Sequence, residues 1–162
     1  MEIRIATEAD FDAVMRLIND AFAIERSFKV RDRVNPPELE EYFAKGNFLL
    51  SEDNGRPTGC VFIERNGNSA YLGLLSVDPS LQKQGVGRRL VAAAEEFARE
   101  MGAHHMDLTV VNIRPELLDI YAKLGYRVTG TEPFPPAQLP TTQPCHLIRM
   151  SKELGHRDTH RG

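Results

Sequence analysis

Two hydrophobic rhythms alternate along the chain, and the points where one gives way to the other lay out its elements. Glu2-Ile3-Arg4-Ile5-Ala6 alternates polar and apolar residues with a period of two, as a strand with one buried face does. Thr7, followed three residues later by Asp10, can cap a helix, and Phe11, Val14, Met15, Ile18 and Phe22 then recur at helical spacing. The rhythm lapses over a charged stretch from Glu25 to Asn35. Pro36-Pro37 opens a second helix through Phe43, because a first helical turn has no use for the N–H that proline lacks, and Gly46 stops it. Asn47 to Glu52 and Thr58 to Arg65 read as strands joined by Asp53-Asn54-Gly55-Arg56, whose Asn-Gly pair favours a tight hairpin. Asn66-Gly67-Asn68 turns the chain again into a strand from Ala70 to Val77.

Helical spacing returns from Val86 to Met101 and ends at Gly102, after which His105 to Val111 reads as a strand and Pro115 to Leu124 as a short helix. Tyr126 to Gly130 leads into a proline-rich loop, Glu132 to Pro140, before a last strand from His146 to Lys152. Three antiparallel strands followed by helix, strand, helix and strand describe an α/β or α+β sandwich around a central mixed sheet. The expected organisation is one domain, residues 1–154, with a polar C-terminal tail, 155–162.

A chain of 162 residues can bury a real core as one domain. Its formal net charge of −3 gives no overall pull toward nucleic acid or an anionic membrane. The basic run Arg26, Lys29, Arg31 and Arg33 reads as a solvated loop or as a site for an acidic substrate. Cys60 lies in an apolar strand-like run and Cys145 near the C-terminal strand, and both read as buried thiols, which suits a reducing cytoplasm; no apolar run approaches the roughly 20 residues of a membrane helix. His104 and His105 point to opposite faces of any strand and have no ligand-spaced partners, so no metal is expected.

The chemistry concentrates in Leu74-Leu75-Ser76-Val77-Asp78-Pro79-Ser80-Leu81-Gln82-Lys83-Gln84-Gly85-Val86-Gly87-Arg88-Arg89-Leu90. A strand ends, a proline turns the chain, and two glycines open a helix whose first N–H groups have no internal acceptors. Those donors, with the helix dipole behind them and Lys83, Arg88 and Arg89 beside them, suit a phosphate or pyrophosphate. The spacing fits neither a Walker loop nor a dinucleotide fingerprint. Gln82-Lys83-Gln84-Gly85-Val86-Gly87 instead resembles the Gln/Arg-x-x-Gly-x-Gly/Ala signature of the GNAT (GCN5-related) N-acetyltransferases. One helix and one strand later, Asn112 closes a strand and Tyr121-Ala122-Lys123-Leu124-Gly125-Tyr126 matches that family's Tyr-x-x-x-Gly-Phe/Tyr.

The resemblance implies a mixed, mostly antiparallel sheet of about seven strands flanked by helices, splayed between strands four and five to admit acetyl-CoA. It implies that Val77 bonds the pantetheine arm, that Gln84, Gly85, Val86, Gly87 and Arg88 hold the pyrophosphate, and that Gln82 orders the loop. By the same resemblance Asn112 lies near the cofactor arm and Tyr121 protonates the leaving thiolate. Many relatives carry a glutamate base on the fourth strand, and Ala70 to Val77 has no carboxylate. Glu64 on the preceding strand and Glu25 in the charged loop are the candidates in its place. Arg114 is expected either at cofactor phosphate or at a solvated helix start. The loops Glu25 to Arg33 and Pro133 to Pro144 are expected to face each other across the acceptor entrance, with Phe28 or Phe134 as apolar wall.

The expected activity is direct transfer of acetyl from acetyl-CoA to a primary amine of a small molecule, since neither cysteine sits in an activating context. A protein or peptide amine as acceptor, a non-catalytic acyl-CoA sensor, and a homodimer stay open.

Overall fold

The computed structural model describes residues 1–23, 32–135, 141 and 143–155. Seven strands form one sheet: β1 (Glu2–Ile5), β2 (Asn47–Asp53), β3 (Arg56–Asn66), β4 (Ser69–Val77), β5 (His105–Val111), β6 (Arg127–Pro133) and β7 (His146–Glu153). The spatial order is β1-β2-β3-β4-β5-β7-β6. All neighbours are antiparallel except β4 and β5. Helices α1 (Phe11–Ala21) and α2 (Pro36–Lys45) pack on one face, and α3 (Val86–Glu100) and α4 (Pro115–Lys123) on the other.

Burial on both faces explains why the central strands read as nearly unbroken apolar runs. Cys60 and Phe62 of β3 face Val14, Ile18 and Leu39 under α1 and α2, while Val61 and Ile63 face Leu90, Ala94 and Ala98 of α3. The hairpin between β2 and β3 turns at Asn54 and Gly55, with φ of 51° and 78°, as the Asn-Gly pair predicts. Helix α2 starts at a reciprocal cap: Glu38 N–H donates to Asn35 Oδ1 and Asn35 N–H to Glu38 Oε1, both at 3.0 Å.

The structure departs from the sequence pattern in two places that matter. A single 3-10 turn, Glu8–Asp10, precedes α1, because the Asp10 carboxylate accepts from Thr7 N–H and is held by Arg4. The segment from Arg127 to Pro133 is one strand, so Glu132 belongs to β6 and not to the proline-rich loop. Pairing with β7 stabilises this extended backbone as far as Pro133, the last paired position.

Candidate active site: a cleft through the sheet

Strands β4 and β5 are parallel neighbours over only three residue pairs, Ser69–His105, Ala70–Met106 and Tyr71–Asp107. Beyond Tyr71 they diverge, which leaves the β4 edge from Leu72 to Val77 without a ladder partner on that side. Unpaired strand edges carry N–H and C=O groups ready to bond an extended, amide-bearing ligand. A cleft of about 1060 Å³ occupies the gap.

The splay coincides with a break in the β4 pleat. Cys60 pairs with Ser76 and Phe62 with Gly73, so Leu74 and Leu75 together oppose Val61. Leu74 takes a left-handed φ of 52°, a conformation that is costly for a branched side chain and that concentrates at functional sites. The buried Ser76 hydroxyl donates to the Leu74 carbonyl at 2.9 Å and braces the bulge. A glycine inside an apolar strand is a bulge signal, and Gly73 carried it in the sequence. An added Cβ at Gly73 would lie 2.6 Å from the Tyr71 ring, so the glycine makes room for that ring.

At the end of β4 the chain enters the loop toward α3. Lys83 and Gly85 both have left-handed φ, 68° and 86°. Such alternation turns successive N–H groups inward as an anion nest. No described residue accepts a hydrogen bond from the N–H groups of Gln84 through Arg88. At Gly87 an added Cβ would meet only Val77 Cγ2, at 3.6 Å, and Leu75 Cδ2, at 4.0 Å, so the space above those amides is open. Val77, Gln82, Gly85, Val86, Gly87 and Arg88 line the cleft, and Gln84 does not. The Gln82 carboxamide nitrogen reaches the Val77 carbonyl at 3.5 Å, tying loop to strand.

Tyr121 enters the cleft from α4 and is only 8 % exposed. Burial pushes its phenol above the ordinary tyrosine range, with the neighbouring Tyr71 phenol adding to the shift. Its ring meets Tyr126 edge-on at 5.9 Å, and the Tyr126 hydroxyl donates to Glu95 Oε2 at 2.9 Å. Lys152 Nζ binds both Glu95 oxygens, at 3.0 and 3.1 Å, and the Leu124 carbonyl at 2.8 Å. This buried cluster ties α3, the end of α4 and β7 together behind Tyr121.

The remaining candidates fall elsewhere. Asn112 does not line the cleft: its Oδ1 accepts from His146 N–H at 2.8 Å, a clamp between strand ends. Glu64 also lies off the cleft lining, with Lys45 Nζ 4.0 Å from its carboxylate. Glu25, like Arg26, Phe28, Lys29 and Arg31, lies outside the described residues. Arg114 lines the cleft and donates to Glu116 at 3.1 Å. Arg33, whose guanidinium lies 5.5 Å over the Phe22 ring, lines the same cleft as Phe134 and Pro135, so the described ends of the two expected acceptor loops converge there. Cys60 is buried, its thiol pushed up to about 12 by desolvation, and neither cysteine lines the cleft.

The pattern of sequence alone did not single out Tyr71, Thr109 or Glu132. Tyr71 is partly buried and its phenol is raised by desolvation, a shift opposed by hydrogen bonding with Thr109 across the splay. Among the described residues no three side chains form a metal-binding cluster, and no helix is long and apolar enough to cross a membrane.

Comparison with known proteins agrees with this geometry. The structure of yncA from Salmonella typhimurium with its cofactor acetyl-CoA superposes with a TM-score of 0.75 at 24 % identity, covering 98 % of this chain and 96 % of that one. A mycothiol acetyltransferase of Clavibacter sepedonicus is 29 % identical over 124 residues, 75 % of this chain and 41 % of its own length. A probable glucosamine 6-phosphate N-acetyltransferase 2 of Oryza sativa subsp. japonica is 30 % identical over 95 residues, 52 % of this chain. The chain thus spans 41 % and 55 % of the lengths of these two relatives. The acetyltransferase (GNAT) domain model matches residues 19–142, and the chain belongs to that family.

Proposed function

We propose that this chain is an acetyl-CoA-dependent N-acetyltransferase that transfers the acetyl group directly to a primary amine of a small molecule. The observation that carries the reading is the splay itself. An unpaired β4 edge leads, through a short turn at Pro79–Leu81, into a nest of open amides at the start of α3. A pantetheine arm is amide-bearing and extended, and its pyrophosphate is anionic, so the two halves of the cleft complement the two halves of the ligand in order. Acetyl-CoA supplies an activated thioester; the chain supplies position and protons.

Val77 and the neighbouring β4 edge hold the pantetheine, and Gln84 through Arg88 hold the pyrophosphate through backbone N–H groups, with Gln82 ordering the loop. Tyr121 gives its phenolic proton to the departing sulfur. A phenol is already protonated at neutral pH and burial shifts it further in that direction, so the proton is there to give. Asn112 acts at one remove, by fixing the end of β5 against β7. With neither thiol at the cleft, a covalent acetyl-enzyme has no nucleophile among the cysteines, which favours direct transfer. Relatives named for glucosamine 6-phosphate and for streptothricin support a small-molecule acceptor.

The absence of a carboxylate on β4 favours one competing reading, an acyl-CoA sensor that transfers nothing. Single-turnover mixing of protein, acetyl-CoA and a panel of amino acids, amino sugars and alkyl amines separates the two. Amine-dependent release of CoA with formation of the N-acetyl product is expected. Tight acetyl-CoA binding with no amine-dependent release across the panel would leave the sensor.

A further inference from the structure

Among the described residues two carboxylates line the cleft, Glu116 and Glu132. Glu116 lies on α4 and is engaged by Arg114. Glu132 enters from the opposite face. Paired residues in an antiparallel ladder share a face, so Thr109, Arg149 and Gly130 lie in one row, with Val111, Leu147 and Glu132 in the next. Both rows share the Tyr71 face, opposite the one covered by α3 and α4.

The phase of β6 that brings Glu132 to this face is set by a bulge. Val128 pairs with Met150 and Gly130 with Arg149, leaving Thr129 as the extra residue. Gly130 lets the Arg149 side chain lie across it, since an added Cβ would meet its Nη2 at 2.5 Å. Arg149 Nε stands 4.0 Å from the Glu132 carboxylate, and both side chains are about half exposed, at 53 % and 43 %. Phe134 and Leu147 provide apolar wall beside it. The Tyr71 phenol feels the charges of both Arg33 and Glu132, and all three residues line the cleft.

We propose that Glu132 is the carboxylate that binds the acceptor's ammonium group and takes up its proton before attack. This deepens the N-acetyltransferase reading and rests on it. The ammonium N–H bond breaks toward the Glu132 carboxylate and leaves its electron pair on nitrogen. That pair forms the new C–N bond at the thioester carbonyl, and the C–S pair leaves with sulfur, which takes the Tyr121 proton. A second proton, lost from nitrogen as the amide forms, restores Tyr121, and Glu132 releases the first to solvent, one proton per turnover. The site therefore selects amines that are protonated when they arrive.

The test compares two probes of nearly one shape. 2-Phenylethylamine is an ammonium ion at neutral pH, whereas 2,2-difluoro-2-phenylethylamine is far less basic because its fluorines withdraw electron density. Glu132→Gln is expected to lower kcat/KM for the first about 100-fold and for the second by less than about threefold, with thermal protection by acetyl-CoA unchanged. Glu132→Asp should recover part of the loss. Equal losses on both probes would show a structural role, and no loss on either would remove Glu132 from the site; both overturn the proposal and leave the acetyltransferase reading standing. A parent chain that acetylates neither probe nor any amine of the panel, while acetyl-CoA still protects it, would overturn the small-amine reading and this proposal with it.

Discussion

Tyr121 is the residue on which the proposed chemistry turns, and its surroundings make it testable. Tyr121→Phe keeps the ring that packs on Tyr126 and deletes only the hydroxyl. Turnover is expected to fall by about 10²- to 10⁴-fold while acetyl-CoA affinity stays close to that of the parent, measured by steady-state kinetics beside calorimetry. A deficit under about threefold with chemistry rate-limiting would exclude the acid role. The sign of the pKa shift gives a second check. A phenol raised by burial keeps its proton beyond pH 10, so the basic limb of the parent's kcat profile should not report Tyr121 ionisation below that pH. Behind it, Glu95 is 6 % exposed and satisfies both Tyr126 and Lys152. Glu95→Ala strips the partly buried Lys152 ammonium and the Tyr126 hydroxyl of their shared acceptor and should cost about 1–3 kcal/mol in urea unfolding.

At the scale of elements, the loop into α3 and the bulge in β4 do different work. Gly87→Val adds a side chain where the fold has ordinary contact distance, so it should fold and yet block the amides. The parent's melting temperature is expected to rise roughly 5–10 °C at 100-fold acetyl-CoA over Kd, and this variant's to rise little. Gly73→Ala pushes on the Tyr71 ring at 2.6 Å and should raise the acceptor KM more than it weakens acetyl-CoA binding. What the sequence made legible divides along the same line. Elements governed by local periodicity and turn chemistry were readable: the Asn54-Gly55 hairpin, the α3 start after Gly85, and the helix ending at the Tyr121 motif. Glu132 was not, because its place depends on pairing between β6 and β7 and on a bulge at Thr129, neither of which leaves a local pattern. Glu64 shows the converse. Its strand was readable, but only the fold reveals that it faces Lys45 rather than the cleft.

Over the whole molecule, the sheet divides the work between its faces. The α3 and α4 face offers amides and Tyr121, the α1 and α2 face offers Tyr71, Arg33 and Glu132, and the splay joins them. If this division is right, substitutions on one face should affect one substrate. Arg33→Ala is expected to raise the KM of an anionic amine acceptor such as an amino acid several-fold and to leave acetyl-CoA affinity within about twofold. Hydrogen–deuterium exchange with and without acetyl-CoA tests the central placement most directly, since it reads backbone amides one segment at a time. Slowed exchange at residues 84–88 and along the cleft edge of 72–77, with β1 unchanged, is the expected result. Protection confined to other segments, or none at saturating acetyl-CoA, would contradict a donor site in the splay between β4 and β5.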